Sequence, residues 1–257
     1  MRIFILFIYF ILFVSYVSCA SLEMREMDYE CFSVKDNQPR WQAKAAISSA
    51  DNIASIYKIS EEAKGIYSGY DGEITRKTVV FYEKTTDDNY RILKSQTEFF
   101  TQDQKLILKE LQTYDYANKK VYIEAEDYLK HKAKKGELEI RGQIANKLTL
   151  PLQIRKTLLA NRKFEPIYFV SSKPALYKVD LRVIKEEELD FNNQKIKAYK
   201  ILLDPDIGIF NILKFLVTNT FVWFNSDMPY ELVKYEGLET DLGSERVIVC
   251  TNSAKFE

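Results

Sequence analysis

The side chains best placed for acid–base work are carboxylates two residues apart, Glu124 with Glu126 and Glu137 with Glu139, together with the run Glu186-Glu187-Glu188. In a strand such residues share a face, so two carboxyls could divide the roles of proton donor and base between them. Lysines surround both spaced pairs, and the residues between their members, Ala125 and Leu138, are the ones suited to face inward. The pairs therefore read as a solvated face. The single histidine, His131, sits in Lys130-His131-Lys132. It leaves no second imidazole for a multi-histidine metal site, and a basic turn suits a solvated ring better than the base of a triad. Gly65, Gly69 and Gly72 follow no phosphate-cradle spacing, and the sequence holds no Gly-x-Ser-x-Gly, His-Glu-x-x-His or Cys-x-x-Cys. The expectation is a protein that is not an enzyme and needs no cofactor or metal. A carboxylate hydrolase working through Glu124 or Glu126 is the distant alternative.

Charge is equally uninformative about partners. The 37 Lys and Arg balance 37 Asp and Glu and are spread among acidic neighbours. No basic stripe is available for phosphates, so nucleic acid is not an expected partner. Hydrophobic residues at 46% against 29% charged exclude disorder as the dominant state.

The cysteines and the N-terminus indicate where the protein resides. Residues 3 to 18 carry no charge, follow Arg2, and end in Ser18-Cys19-Ala20. This is the pattern of a signal peptide, residues 1–20, cut before Ser21. An uncleaved anchor helix is the competing reading. Cys19 also admits acylation, because Tyr16-Val17-Ser18-Cys19 resembles a bacterial lipobox, and a lipid there would tether the protein to a membrane leaflet. Cys31 and Cys250 remain after export and could form a disulfide between the two ends of the mature chain, or stay as two separate thiols. No Asn-x-Ser/Thr sequon occurs, which favours a bacterial periplasm.

Beyond Ser21 the chain reads as strands divided by short polar turns. Strands are expected over Glu73–Thr86, Tyr90–Phe100, Leu106–Tyr116, about Val121–Ala125 and over Glu137–Arg141, with Lys132–Gly136 as a basic turn. Tyr177–Val183 alternates apolar and charged residues, so one face meets a core and the other water. Further strands are expected over Lys195–Leu203, Thr220–Asn225, Tyr230–Glu236 and Arg246–Cys250. Leu150–Asn161 reads as a helix begun by Pro151, with Leu152, Ile154, Leu158 and Leu159 on one face. In Ile207–Val217 apolar residues surround the axis, as in a buried helix or a cavity lid. The expected class is mainly β (α+β), a strongly curved antiparallel sheet or half-barrel wrapping one or two helices. A single domain spans 21–257, with 21–41 as a loose arm or edge strand.

With 17 Tyr and 16 Phe, such a sheet would present a large apolar concave face. The residues expected to line or cover a cleft there are Ile209, Phe210, Leu213, Phe215 and Leu216, with Trp223 at the rim. A solid core is the alternative.

The C-terminal stretch Phe221-Val222-Trp223-Phe224, Met228-Pro229-Tyr230 and Val233-Lys234-Tyr235-Glu236-Gly237, ending in Gly243-Ser244-Glu245-Arg246-Val247-Ile248-Val249, resembles a family of uncharacterised exported bacterial proteins. The likeness covers roughly residues 165 to 250. At fold level that family is similar to the periplasmic lipoprotein carriers LolA and LolB, in which a curved sheet closes over helices around an apolar cavity. The resemblance implies an exported cell-envelope protein, periplasmic or outer-membrane-associated, that binds or carries a lipid or other hydrophobic ligand. Membrane contact is expected only if Cys19 is acylated. An envelope scaffold with a filled core and a protein partner is the alternative function.

Overall fold

The computed structural model describes residues 25–50, 55–67, 70–85, 89–171, 174–191, 194–206, 219–239 and 246–251. Fifteen strands among them form a single sheet: β1 (Arg25–Ser33), β2 (Pro39–Ser49), β3 (Ile56–Ile66), β4 (Glu73–Lys84), β5 (Tyr90–Thr101), β6 (Leu106–Asp115), β7 (Lys120–Asp127), β8 (Lys132–Glu139), β9 (Gln143–Ala145), β10 (Ile167–Ser171), β11 (Ala175–Phe191), β12 (Gln194–Asp206), β13 (Thr220–Asn225), β14 (Leu232–Leu238) and β15 (Arg246–Thr251). One helix, α1 (Leu150–Leu159), interrupts them. The protein is mainly β.

The strands lie in the order β8 to β1, then β15 down to β9. Every neighbouring pair is antiparallel except β9 and β10, which run parallel and whose connection carries α1. A parallel pair needs such a crossover. The sheet is open in its hydrogen bonding between β8 and β9, yet only residues 140–142 separate these end strands in the chain. The two ends are also brought together by packing. Leu138 from the β8 side and Tyr168, Val170 and Leu176 from the β10–β11 side join one hydrophobic cluster around Tyr82, Ile92 and Val121. A Cβ on Gly136 of β8 would lie 2.4 Å from the Pro174 ring, so only glycine fits that seam.

Alternation positions the interior. Trp41, Ala43, Ala45 and Ile47 of β2 are buried on one face, as are Val121, Ile123 and Ala125 of β7, while their neighbours meet solvent or sit half-buried. Helix α1 begins where Asn146 Oδ1 accepts the amides of Leu148 and Thr149 and where Pro151 occupies the first turn. It ends at Asn161, whose positive φ of 47° lets Arg162 donate its amide back to the Thr157 carbonyl. Leu150, Leu152, Gln153 and Ile154 form its buried face, with Leu152 in the cluster around Tyr82 and with Leu150 and Ile154 beside Val179, Ile201 and Phe224.

Three expectations change. The stretch 21–41, read as an arm or edge, contains β1 from Arg25 onward, and β1 is an interior strand paired with β2 on one side and β15 on the other. Its second partner comes from the far end of the sequence, where local patterning gives no warning. The basic segment Lys132–Gly136 is a strand rather than a turn. It is an end strand, its lysines face water, and Lys135 pairs with Glu124 at 3.3 Å across the ladder. Cys31 and Cys250 are both free thiols. Cys31 stands opposite Val249 and Trp41, whereas Cys250 stands opposite Glu30 and Lys234, one step along the ladder, so the two side chains leave opposite faces of the sheet. The apolar segment Ile207–Val217, and with it the second helix, lies outside the described residues.

Candidate functional site

The inner face encloses a cavity of about 330 Å³. Its wall combines α1 (Leu152, Ile154) with strands on both sides of the β1–β15 seam (Ile47, Ile59, Val222, Val247). Most of the wall is therefore hydrocarbon, supplied by the inward half of each strand's alternation. The volume sits at the lower end of the roughly 300–1,000 Å³ common for small-molecule sites.

Among the charged groups that interrupt this wall, two places are of opposite character. The first is a network joining β2, β3 and β4 with Lys147 of the β9–α1 loop and Glu239 just after β14. The Arg76 guanidinium donates to Glu61 Oε1 at 2.9 Å, and the Lys147 ammonium donates to the same oxygen at 3.1 Å. Burial alone would raise the Glu61 carboxyl, but Lys147 and then Arg76 outweigh it and lower it to about 2. The carboxylate is thus held ionised inside the protein. Arg76 also lies over the rings of Trp41 and Tyr67, 5.1 and 5.4 Å from their centres. Trp41 Nε1 in turn donates to Glu239 Oε1 at 2.9 Å, with Arg40 at 3.7 Å from the other Glu239 oxygen. Burial, followed by the charge of Glu239, pushes the nearby Cys31 thiol strongly upward, so it is an inert thiol.

The second place is Arg155 on α1. It lines the cavity, its Nε is shut off from solvent, and no acceptor among the described residues meets that atom. Its basicity is lowered chiefly by burial, which Tyr90 only partly offsets. Neighbouring Lys156 turns the other way and donates to Asn89 Oδ1 at 2.7 Å.

One residue expected at the rim of the site is elsewhere. Trp223 is buried, but on the outer face of β13. Val222 and Phe224 on either side of it line the cavity, and Trp223 does not. Its ring is covered by the ammonium groups of Lys200 and Lys234, at 4.9 and 4.5 Å from the ring centre, and its Nε1 donates to Glu187 Oε1 at 2.6 Å. Ile209, Phe210, Leu213, Phe215 and Leu216, and the acylation candidate Cys19, lie outside the described residues. Glu124 and Glu126 do share an outer face of β7, where Glu124 meets Lys135 and Glu126 accepts from the Tyr128 hydroxyl. His131 is exposed in the β7–β8 turn with φ of 50°. Among the described residues no cluster of His, Cys, Asp and Glu could hold a metal ion, and no helix is long and apolar enough to cross a membrane.

Sequence reasoning did not find Arg155. It did not find the Glu61 network either. In both cases the one available signal was a charge at a position whose flanking pattern points inward, as with Glu61 between Ile59 and Ala63.

No protein-family model and no curated protein matches the sequence. Among solved structures the chain is similar to a β-barrel-like protein of domain of unknown function DUF1849 from Brucella abortus, at 9% identity and a TM-score of 0.50, over 89% of this chain and 95% of that one. Weaker likenesses are to a candidate lipoprotein from Parabacteroides distasonis (8% identity, 89% and 94% of the two chains, TM-score 0.28) and a porin-like protein from Bacteroides uniformis (10% identity, 88% and 96%, TM-score 0.23). The first of these likenesses is one of fold.

Proposed function

We propose that this chain is an exported bacterial envelope protein, not an enzyme, that binds or carries a lipid or another hydrophobic ligand in its interior cavity. The observation that carries this reading is the hydrocarbon wall shared by α1 and by strands on both sides of the β1–β15 seam, around about 330 Å³ of space. A largely apolar chamber of that size gains free energy by taking up a chain of methylene groups, about 0.8 kcal/mol for each one removed from water. The sequence resemblance, which implies a curved sheet around an apolar cavity as in LolA and LolB, supports the same reading. Export rests on the signal-peptide pattern of residues 1–20, and attachment to a membrane on acylation of Cys19.

The test is direct. The mature chain purified from cells is extracted with organic solvent, the extract is analysed by mass spectrometry, and uptake of a fluorescent fatty acid is titrated. Co-extracted lipid and saturable uptake, both reduced in Val222→Trp, which puts an indole into the cavity, are the expected results. No lipid and no uptake by the folded wild-type chain refute the reading.

A second reading, an envelope interaction module, has one observation in its favour. Along β11, Arg182 to Glu186 are exposed one after another, so both faces of this part of the strand meet solvent, as suits a partner's surface. A fixed protein partner, retained without lipid, would support it.

A further inference from the structure

Inside an apolar chamber every charge needs an explanation, because ionised groups are expensive to take from water and are normally paired. Two cations of the wall, Arg76 and Lys147, have one: both converge on Glu61 Oε1. Arg155 does not. Its Nε is buried without an acceptor, and no described carboxylate forms an ion pair with it, although Glu231 and the exposed Asp28 also belong to the cavity wall. A guanidinium presents five donors in a planar fork that matches carboxylate and phosphate oxygens. The geometry therefore combines a hydrocarbon pocket with a wall cation that no carboxylate among the described residues pairs.

We propose that Arg155 anchors the head of the ligand, which is a single-chain amphiphile carrying an anionic group. The tail lies along Leu152, Ile154, Val179 and Val222, and the head accepts hydrogen bonds from the Arg155 guanidinium. This inference rests on the hydrophobic-ligand reading above and adds the charge of the ligand to it. The Glu61 network is the competing place for a head, since it holds two cations around one carboxylate. Arg155 is favoured because no carboxylate among the described residues pairs with it, whereas Arg76 and Lys147 already share Glu61.

The experiment uses the full mature chain and four ligands of similar tail length: palmitate, hexadecanol, hexadecyltrimethylammonium, and the phosphate-headed 1-palmitoyl-lysophosphatidic acid. Each displaces a neutral fluorescent lipid probe. In the wild-type protein the two anions should bind roughly 10- to 100-fold more tightly than hexadecanol, the span expected for hydrogen bonds to an ionised group. The ammonium should bind most weakly. Whichever anion binds more tightly identifies the head as carboxylate or phosphate. In Arg155→Gln the advantage of the anions should vanish while hexadecanol binds as before, which also shows that the variant is folded. Lys147→Gln should keep that advantage. Binding of hexadecanol with no preference for anions in the wild-type protein overturns the inference and leaves the hydrophobic-ligand reading standing. Loss of the preference in Lys147→Gln but not in Arg155→Gln also overturns it. Absence of binding by all four ligands defeats both readings.

Discussion

Replacing Glu61 by Gln tests whether the buried network holds the interior of the sheet together. The wild-type carboxylate serves two cations through one oxygen, Arg76 at 2.9 Å and Lys147 at 3.1 Å, and its side chain is 6% exposed. Glutamine keeps the shape and removes the charge, leaving two cations facing a neutral amide. Removing one member of a buried ionic group typically costs about 3–5 kcal/mol. The carboxyl's fall from an ordinary 4.5 to about 2 is the net of burial and the two cations and points the same way, on the order of 3 kcal/mol at neutral pH. The sign follows from the direction of that fall. A carboxyl that is more acidic folded than unfolded adds stability above its unfolded value, and the gain is lost as pH drops from about 4.5 towards 2. Urea unfolding followed by tryptophan emission is the assay, since Trp41 lies under the Arg76 guanidinium and reports the site itself. At pH 7 Glu61→Gln should lower the unfolding free energy by about 3 kcal/mol. Between pH 4.5 and 2 the gap between variant and wild type should narrow. Converting Glu61, Arg76 and Lys147 together to Met should recover much of the loss, because an apolar replacement of a whole buried ionic group is often nearly neutral. A change below about 1 kcal/mol at pH 7, or a gap that does not vary with pH, would refute the argument.

Other outcomes follow from individual residues. Gly65→Ala should destabilise by more than about 2 kcal/mol in the same urea assay, because φ is +153° and the new Cβ would lie 2.2 Å from the Arg40 carbonyl oxygen. Trp223→Phe should leave fatty-acid uptake unchanged while costing about 1 kcal/mol for the lost bond to Glu187, since the ring is on the outer face; impaired uptake would contradict that placement. Without reductant, peptide mapping of the mature protein should find no Cys31–Cys250 link. Iodoacetamide should label Cys250 faster than Cys31 in the folded chain, since the latter's thiol is 1% exposed and strongly raised.

Much of the fold was legible because most hairpins are local. The strands from Glu73 to Ala125 and from Lys195 to Cys250 alternate or cluster apolar residues between polar turns, and the structure keeps them within a few residues of their expected bounds. The helix at Pro151 was legible for the same reason. β2 and β3 were not, because small or charged residues occupy their inward positions: Ala43 and Ala45 in one, Glu61 in the other. A charge that is buried only because its partners arrive from Arg76 and Lys147 cannot announce itself in local hydropathy. The face of Trp223 was hidden for the opposite reason, since Phe221-Val222-Trp223-Phe224 is apolar throughout and alternation carries no information there.

The pairing of β1 with β15 sets residue 29 against residue 251 in the middle of the sheet rather than at its rim. Until β15 has been synthesised, β1 and β14 each keep a bare row of amides and carbonyls, and the two arms of the sheet stay apart. Contacts between residues so remote in the chain form slowly, because the whole intervening polypeptide must first be brought to heel. A protein joined so late remains threadable while it is being made, the state that the proposed export would require of it.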